Sequence, residues 1–98
     1  MARFDVYRLA GEGLVVDCQA NLLSHLKTRL VVPLLPASEV VAPMKRLNPL
    51  VSVGESDYLF CPDLAATVRA NKLSEQVGSL DHESDSLSAA IDMLLIGY

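Results

Sequence analysis

The sequence predicts a small, twisted or barrel-like antiparallel β-sheet with a single helix packed across it. Three observations support this prediction: short segments of alternating polarity, glycine and proline turns at close spacing, and one helical pattern over the last part of the chain. Hydrophobic residues make up 51% of the sequence and aromatic residues only 5%, so we expect a core of valine and leucine. With 98 residues, positions 1–98 are expected to form a single domain.

The first part of the chain has the pattern of a β-hairpin. Phe4 and Val6 alternate with polar neighbours, as in a half-buried strand, and residues 14–19 alternate in the same way. Between them, Gly11-Glu12-Gly13 supplies residues that tolerate the backbone angles of a tight turn. We therefore predict two antiparallel strands joined at these glycines.

Residues 20–28 interrupt the alternation and are predicted to be a loop. Leu22 and Leu23 lie in it, and the favoured interpretation is that both side chains tuck into the core; the alternative is an exposed contact loop. Residues 29–35 again resemble a strand. Pro33 has no N–H to donate to a neighbouring strand, which favours an edge position or a bulge.

A second hairpin is predicted further along the chain. Residues 50–53 and 58–61 have strand character and flank Gly54-Glu55-Ser56-Asp57, whose residue types favour a turn. Residues 63–80 fit a short strand and a helical turn about equally, and both interpretations stay open. A sheet of five or more strands would require a strand in this segment.

Residues 80–98 have the pattern of one helix. Asp81 is predicted to cap its first turn, because a carboxylate oxygen can accept hydrogen bonds from the free N–H groups there. A helical face recurs at the spacing of an amphipathic helix, formed by Leu87, Ile91, Leu94 and Tyr98. The other sides are also apolar apart from Asp92, and a helix that is apolar all round is normally buried all round. The pattern therefore predicts a partner, either another subunit or a target protein.

Composition excludes several classes of function. The net charge of −4 argues against a broad phosphate-binding surface, so we expect no direct nucleic-acid partner. The Lys45-Arg46 pair in the proline-broken segment 37–48 is expected to be solvated. No segment approaches the roughly 20 apolar residues of a membrane span. Charged residues at Arg3 and Asp5 are unlike a signal peptide, so we expect a cytoplasmic protein.

No catalytic or metal-binding motif is apparent. Cys18 and Cys61 lie in apolar strand-like segments without Cys-x-x-Cys spacing, which favours buried, reduced thiols. Asp81-His82-Glu83 is interpreted as a solvated helix start, because consecutive helical residues do not face one another. We therefore expect no catalytic residue, no metal and no cofactor.

Several segments, taken in order and at their spacing, resemble the CcdB family, the cytotoxic DNA gyrase inhibitors of bacterial toxin–antitoxin modules. The segments are FDVY, LVVDCQANLL, TRLVVPL, PLVSVGESDYLF and LDHESDSLSAAIDMLLIGY, and they cover essentially the whole chain. The resemblance implies an SH3-like barrel similar to that of the MazF ribonuclease toxins, with a C-terminal helix and a symmetric homodimer. It implies a topoisomerase poison with no chemistry of its own.

The resemblance also assigns residues by position. The implied contacts with the gyrase A subunit are Asn21, Leu22, Leu23, Asp92, Leu95, Ile96, Gly97 and Tyr98. The implied contacts with the disordered tail of a cognate antitoxin are Val53, Asp57 and Tyr58. The best-known members end in Phe-Trp-Gly-Ile, whereas this chain ends in Leu-Ile-Gly-Tyr. Two alternatives remain: a ribonuclease toxin of the related MazF-like fold, and an inactive member that only binds antitoxin.

Overall fold

The computed structural model describes residues 2–11 and 13–98. These residues form an antiparallel sheet and one α-helix, so the fold predicted from the sequence is confirmed. The strands are β1 (Asp5–Leu9), β2 (Gly13–Asp17), β3 (Thr28–Leu35), β4 (Leu50–Val53), β5 (Ser56–Phe60), β6 (Ala66–Arg69) and β7 (Leu73–Ser79), and the helix is α1 (Ser84–Ile96).

The strands are hydrogen-bonded in the order β4-β5-β3-β2-β1-β7, and β6 pairs with β3 beside this path. Within the described residues, no ladder joins the two ends of the path, β4 and β7. Side chains fill the gap between β4 and β7, which is called the seam below. Val53 and Val77 pack against the same core there, and a methyl group added at Gly78 would lie 3.7 Å from Cγ1 of Val53. The sheet is therefore a half-barrel that is closed on one side by packing.

The predicted N-terminal hairpin is confirmed. Val6 faces Val16 and Leu9 faces Gly13 in an antiparallel register. Gly13 has a φ of +87°, a backbone angle that glycine adopts without the penalty of a side chain. Glu12 of the predicted turn lies outside the described residues.

The prediction that Pro33 marks an edge or a bulge is wrong, because β3 is paired on both sides. Pro33 faces Val15 of β2, while the opposite edge of β3 pairs with β6 as far as Val31 and with β5 from Leu34 onwards. The proline therefore lies where β3 changes neighbours, so its missing N–H removes no ladder hydrogen bond at that step.

The second hairpin is confirmed and is tighter than predicted. Val53 pairs with Ser56, which leaves Gly54 and Glu55 as a two-residue turn, and Gly54 has a φ of +63°. The ambiguous segment 63–80 contains both predicted kinds of structure. It forms β6 and β7, separated by a single 3-10 turn at Ala70–Lys72.

The core lies on both faces of the sheet. The larger cluster packs the inner face against α1 and contains Phe4, Val6, Val16, Cys18, Val32, Leu34, Val51, Phe60, Leu80, Leu87 and Ala90. A smaller cluster on the opposite face contains Tyr7, Val15, Val31 and Leu73. Because both faces are covered, β1, β2 and β3 carry buried residues at consecutive positions rather than a strict alternation.

The helix is shorter than predicted, and its predicted cap is wrong. A 3-10 turn at Asp81–Glu83 precedes α1, and no side chain caps either helical start. Instead, the backbone N–H of Asp81 donates to Oγ of Ser79 at 3.2 Å. At the other end, Gly97 adopts a left-handed conformation, and its N–H donates to the carbonyl groups of Asp92 and Met93.

Both cysteines are buried and free, as predicted. Burial raises the pKa of the Cys18 thiol to about 12, and burial also raises the pKa of Cys61. Thiols in these environments stay protonated and unreactive at neutral pH. No helix of the described chain is long and apolar enough to cross a membrane.

Candidate interaction surfaces

The last two turns of α1 expose large apolar side chains. The first half of the helix is anchored by Leu87 and Ala90, which are fully buried. Beyond them Leu95 is 71% exposed and Ile96 is 58% exposed. Removing apolar side chains of this size from water lowers the free energy, so a partner that covers them would bind favourably.

Two further predicted site residues extend this exposed end of α1. Tyr98 follows the helix and is 81% exposed, and Asp92 is exposed on the helix itself. Leu94, which the helical pattern placed on the face shared with Leu87, is also 42% exposed. The packed face of the helix therefore ends near Ile91, and the residues after it are free to contact another molecule.

The loop that the resemblance assigned to gyrase is exposed. Leu22 and Leu23 are 87% and 42% exposed, so the favoured prediction that both side chains enter the core is wrong. They lie in a 3-10 turn, Asn21–Leu23, that is held from both sides. The side-chain carbonyl of Asn21 accepts the N–H of Arg3 at 2.8 Å, and the Gln19 side chain donates to the Leu23 carbonyl at 3.0 Å.

The structure does not bring this loop and the end of α1 together within one chain. Asn21 lines a surface cavity with Asp81 and Ser84, at the beginning of the helix. The 13-residue helix is about 20 Å long, which separates that cavity from Ile96. A target that contacts both predicted gyrase-binding regions of one chain must therefore span the length of α1.

The predicted antitoxin residues lie only partly together. Val53 and Tyr58 line one surface cavity of about 250 Å³. The other residues of this cavity are Arg8 of β1, Leu14 of β2, Gly54 and Val77 of β7, so the cavity lies beside the seam. Asp57 is not in the cavity lining; it is exposed and accepts a hydrogen bond from the Ser52 hydroxyl.

Arg8 is a residue of this cavity that the sequence did not indicate. Its side chain is 57% exposed, and its Nε lies 4.0 Å from Oε1 of Glu75, which is 68% exposed. An ion pair this open and this long is weak, so Arg8 is available to a carboxylate from another molecule. No sequence pattern indicated Arg8, because the cavity brings together residues of strands that are far apart in the chain.

A buried ion pair between Asp17 and Arg29 was also missed from the sequence. Their side chains are 0% and 1% exposed. Nε of Arg29 donates to Oδ2 of Asp17 at 2.9 Å, and the N–H of Gln19 donates to Oδ1 at 3.1 Å. Nη1 of Arg29 finds no acceptor among the residues described. This pair fixes the ends of β2 and β3 next to the loop that carries Leu22.

Nothing in the described part of the chain has the geometry of a metal site, since no three His, Cys, Asp or Glu side chains cluster. Asp81, His82 and Glu83 lie together on the 3-10 turn, with Asp81 and His82 exposed and Glu83 half-buried.

Comparison with known proteins agrees with the fold. The family model described as CcdB protein matches residues 3–97, so the chain belongs to the CcdB family, as the resemblance predicted. No curated protein sequence matches it significantly.

Solved structures similar to this chain include an endoribonuclease in complex with its cognate antitoxin and an endoribonuclease, both from mycobacterial species. The first has a TM-score of 0.75 at 18% sequence identity and covers 97% of this chain and 94% of its own. The second has a TM-score of 0.75 at 17% identity and covers 97% of this chain and 90% of its own. At these identities the similarity establishes the fold.

Proposed function

We propose that the protein is the toxin of a toxin–antitoxin module and that it binds the gyrase A subunit through the end of α1, trapping gyrase with its DNA cleaved. The observation that carries this proposal is the exposed apolar end of the helix, with Leu95 and Tyr98 at 71% and 81% exposure. Membership of the CcdB family supports it, because gyrase inhibition is the activity that the resemblance implied. The protein acts by binding and is not itself an enzyme.

The active form is proposed to be a cytoplasmic homodimer. A symmetric dimer presents two copies of the helix end, which doubles the apolar surface offered to a symmetric target. The acidic residue Asp92 lies beside that surface and is exposed, so the complementary target surface would carry a cation or a hydrogen-bond donor.

Gyrase poisoning is tested with purified gyrase and relaxed plasmid. Addition of the protein at micromolar concentration should reduce supercoiling, and denaturation followed by protease treatment should release linear DNA. Ciprofloxacin serves as the positive control, and the protein without gyrase serves as the negative control. Unchanged supercoiling together with no linear DNA would contradict the proposal.

A cognate antitoxin is proposed as the second partner. Its tail would be disordered when free and would order on binding, with an apolar side chain in the cavity lined by Val53 and Tyr58 and an acidic group near Arg8. The structural similarity to an endoribonuclease bound to its antitoxin fits this arrangement. The proposal predicts that expression of this protein stops growth and that co-expression of a small protein encoded beside it restores growth.

A second candidate function is RNA cleavage, which the similarity to two endoribonucleases favours. It predicts cleavage of purified RNA in the absence of gyrase. The same preparation should be assayed on RNA and on gyrase, so that the two activities are compared directly. A protein that does neither would be an inactive member that binds only the antitoxin.

A further inference from the structure

An open groove of about 530 Å³ lies at the beginning of β3 and the end of β6, and its lining includes none of the residues assigned to gyrase or antitoxin. It is lined by Lys27, Thr28, Arg69, Ala70 and Asn71. Two of these side chains are cations, and two more carry a hydroxyl or an amide that can donate hydrogen bonds. The groove is therefore a concentration of donors and positive charge on a protein with a net charge of −4.

The backbone holds the two walls of the groove side by side. Thr28 of β3 faces Arg69 of β6 in the antiparallel register, so their side chains leave the same face of the sheet. Beyond the ladder, the N–H of Ala70 donates to the carbonyl of Lys27 at 2.8 Å. The two cationic residues thus project from neighbouring, hydrogen-bonded segments, which reduces the entropy lost when a ligand binds both.

The charge of the groove is not neutralised by the protein itself. The two segments that build it, residues 18–38 and 64–74, contain no aspartate or glutamate, and all 12 acidic residues lie elsewhere in the sequence. The ion pairs formed by the described residues are Arg8 with Glu75 and Arg29 with Asp17, so neither involves the cations of the groove.

We propose that this groove binds the phosphodiester backbone of a nucleic-acid strand. Lysine, arginine, threonine and asparagine side chains are the groups that typically bind phosphate oxygens. No aromatic side chain lines the groove, so it offers no platform for stacking a base. The contact is therefore independent of sequence and directed to the backbone.

An acidic peptide is less well matched to the groove. Peptides are usually anchored by a large apolar or aromatic side chain in a pocket, and the lining residues Thr28 and Ala70 are too small to form one. The negative charge of the rest of the molecule limits the contact to a few phosphates. The groove is consequently a local site, in agreement with the absence of a broad basic surface in the sequence.

The test is a fluorescence anisotropy titration with labelled oligothymidylate and oligouridylate of about 12 nucleotides, a length within the range that single-strand sites cover. Binding is measured for the full-length wild-type protein between about 50 and 200 mM salt. The groove variant is K27Q/R69Q, and the matched control is K45Q/R46Q, which removes the same charge from two exposed residues outside the groove. Thermal unfolding of both variants checks that the fold is unchanged.

We expect both oligonucleotides to bind, and K27Q/R69Q to weaken binding at least about tenfold at the lowest salt concentration. The slope of log affinity against log salt should fall in magnitude by about 1.4, since each phosphate contact contributes about 0.7 for single strands. K45Q/R46Q should stay within about twofold of the wild type, because its cations lie outside the site.

Three results would overturn the proposal. The first is no binding to either oligonucleotide at the lowest salt concentration. The second is an equal loss of affinity in the groove variant and in the control, which would indicate a diffuse charge effect. The third is displacement of the oligonucleotide, at matched ionic strength, by polyglutamate or inorganic phosphate as effectively as by unlabelled oligonucleotide, which would indicate an acidic-peptide or small-anion site.

Discussion

Arg29 and Asp17 form an ion pair that solvent does not reach, with Nη2 of the arginine 2.7 Å from Oδ2 of the aspartate. Burying two charges costs free energy of solvation, and their attraction offsets that cost only while both are present. The pair joins β3 to β2, and the Asp17 carboxylate also accepts the N–H of Gln19. Removing one partner of this buried pair should therefore lower the free energy of unfolding much more than removing one partner of an ion pair on the surface.

We expect Asp17→Asn to lower the free energy of unfolding by about 3–5 kcal/mol, because it leaves the Arg29 guanidinium buried without a counter-charge. Glu75→Gln is the matched control: it removes a carboxylate from the open pair with Arg8 and should cost at most about 1 kcal/mol. Urea unfolding followed by circular dichroism measures both. Equal, small losses in the two variants would show that the buried pair contributes little.

Two glycines near the seam should respond differently to replacement by alanine. Gly54 has a φ of +63° in the two-residue turn, whereas Gly78 has an ordinary backbone and room for a methyl group 3.7 Å from Val53. Gly54→Ala should destabilise the protein by about 1–2 kcal/mol because it forces a side chain into the left-handed region. Gly78→Ala should be neutral or should stabilise by up to about 1 kcal/mol, since alanine loses less entropy on folding and fills the seam.

Urea unfolding of these two variants in parallel provides the measurement. Each variant serves as the control for the other, because both add a single methyl group to a glycine near the same seam. A destabilisation by Gly78→Ala as large as that by Gly54→Ala would mean that β4 and β7 approach more closely than the 3.7 Å contact implies.

The pH dependence of stability should reflect the Cys18 thiol. Burial raises its pKa from 9.0 to about 12 in the folded protein. Because the pKa of the thiol is higher in the folded protein than in the unfolded chain, the thiol contributes to the free energy of unfolding below pH 9. This contribution is lost as the pH rises towards 12, since the thiol ionises first in the unfolded chain. Burial also raises the pKa of Tyr7 and Cys61, and these groups act in the same direction at alkaline pH.

We therefore expect the free energy of unfolding of the wild type to fall between pH 8 and pH 10.5, and to fall less steeply in Cys18→Ala. Urea unfolding at the two pH values gives the difference for each protein, so the cavity left by the alanine cancels in the comparison. Equal losses in the two proteins would indicate that Cys18 does not titrate differently on unfolding.

The hairpins were predictable from the sequence because their signals are local. Alternation with period two and a glycine turn define β1 with β2 and β4 with β5, and neither depends on distant contacts. The sequence left β7 undecided between a strand and a helical turn, because its pairing with β1 shifts register between Val6 and Tyr7 and again between Arg8 and Leu9. Each shift changes which side of the strand is buried, and the resulting sequence does not alternate.

The candidate surfaces were predictable only where one segment forms them. The apolar end of α1 is visible in the sequence because consecutive residues supply it. The exposure of Leu22 was predicted only as the less favoured alternative, since it depends on how hydrogen bonds from Gln19 and to Asn21 hold the loop. Arg8 and the groove lined by Lys27 and Arg69 were also missed, because each site requires residues that are far apart in the chain.

The cavity at the seam tests the antitoxin proposal independently of gyrase. Arg8→Gln should weaken antitoxin binding about 3- to 10-fold, since the removed charge is partly exposed and solvent screens it. Tyr58→Ala should weaken it more, because it removes an aromatic side chain from the cavity lining. Arg46→Gln is the control for Arg8→Gln. Isothermal titration with the antitoxin tail measures all three, and unchanged affinity in Tyr58→Ala would place the tail elsewhere.

The end of α1 tests the gyrase proposal most directly. Leu95 and Ile96 are exposed and lie beyond the packed part of the helix, so L95D/I96D should leave the free energy of unfolding within about 1 kcal/mol of the wild type. It should nevertheless abolish DNA cleavage by gyrase, because two charges would enter an apolar interface. Val41→Asp is the control, since Val41 is 94% exposed in the segment between β3 and β4, outside α1. This variant should poison gyrase as strongly as the wild type does.

A substitution at Ile96 that strengthens the contact with gyrase also tests the gyrase proposal. The best-known members of the family have tryptophan where this chain has Ile96, and tryptophan is a preferred anchor in protein interfaces. If the helix end enters the gyrase A subunit, Ile96→Trp should lower the concentration needed for half-maximal cleavage at least about threefold without changing antitoxin affinity. A gain at Ile96→Trp together with a loss in L95D/I96D would require the contact to pass through this end of the helix. Full activity in L95D/I96D would remove the helix end from the mechanism.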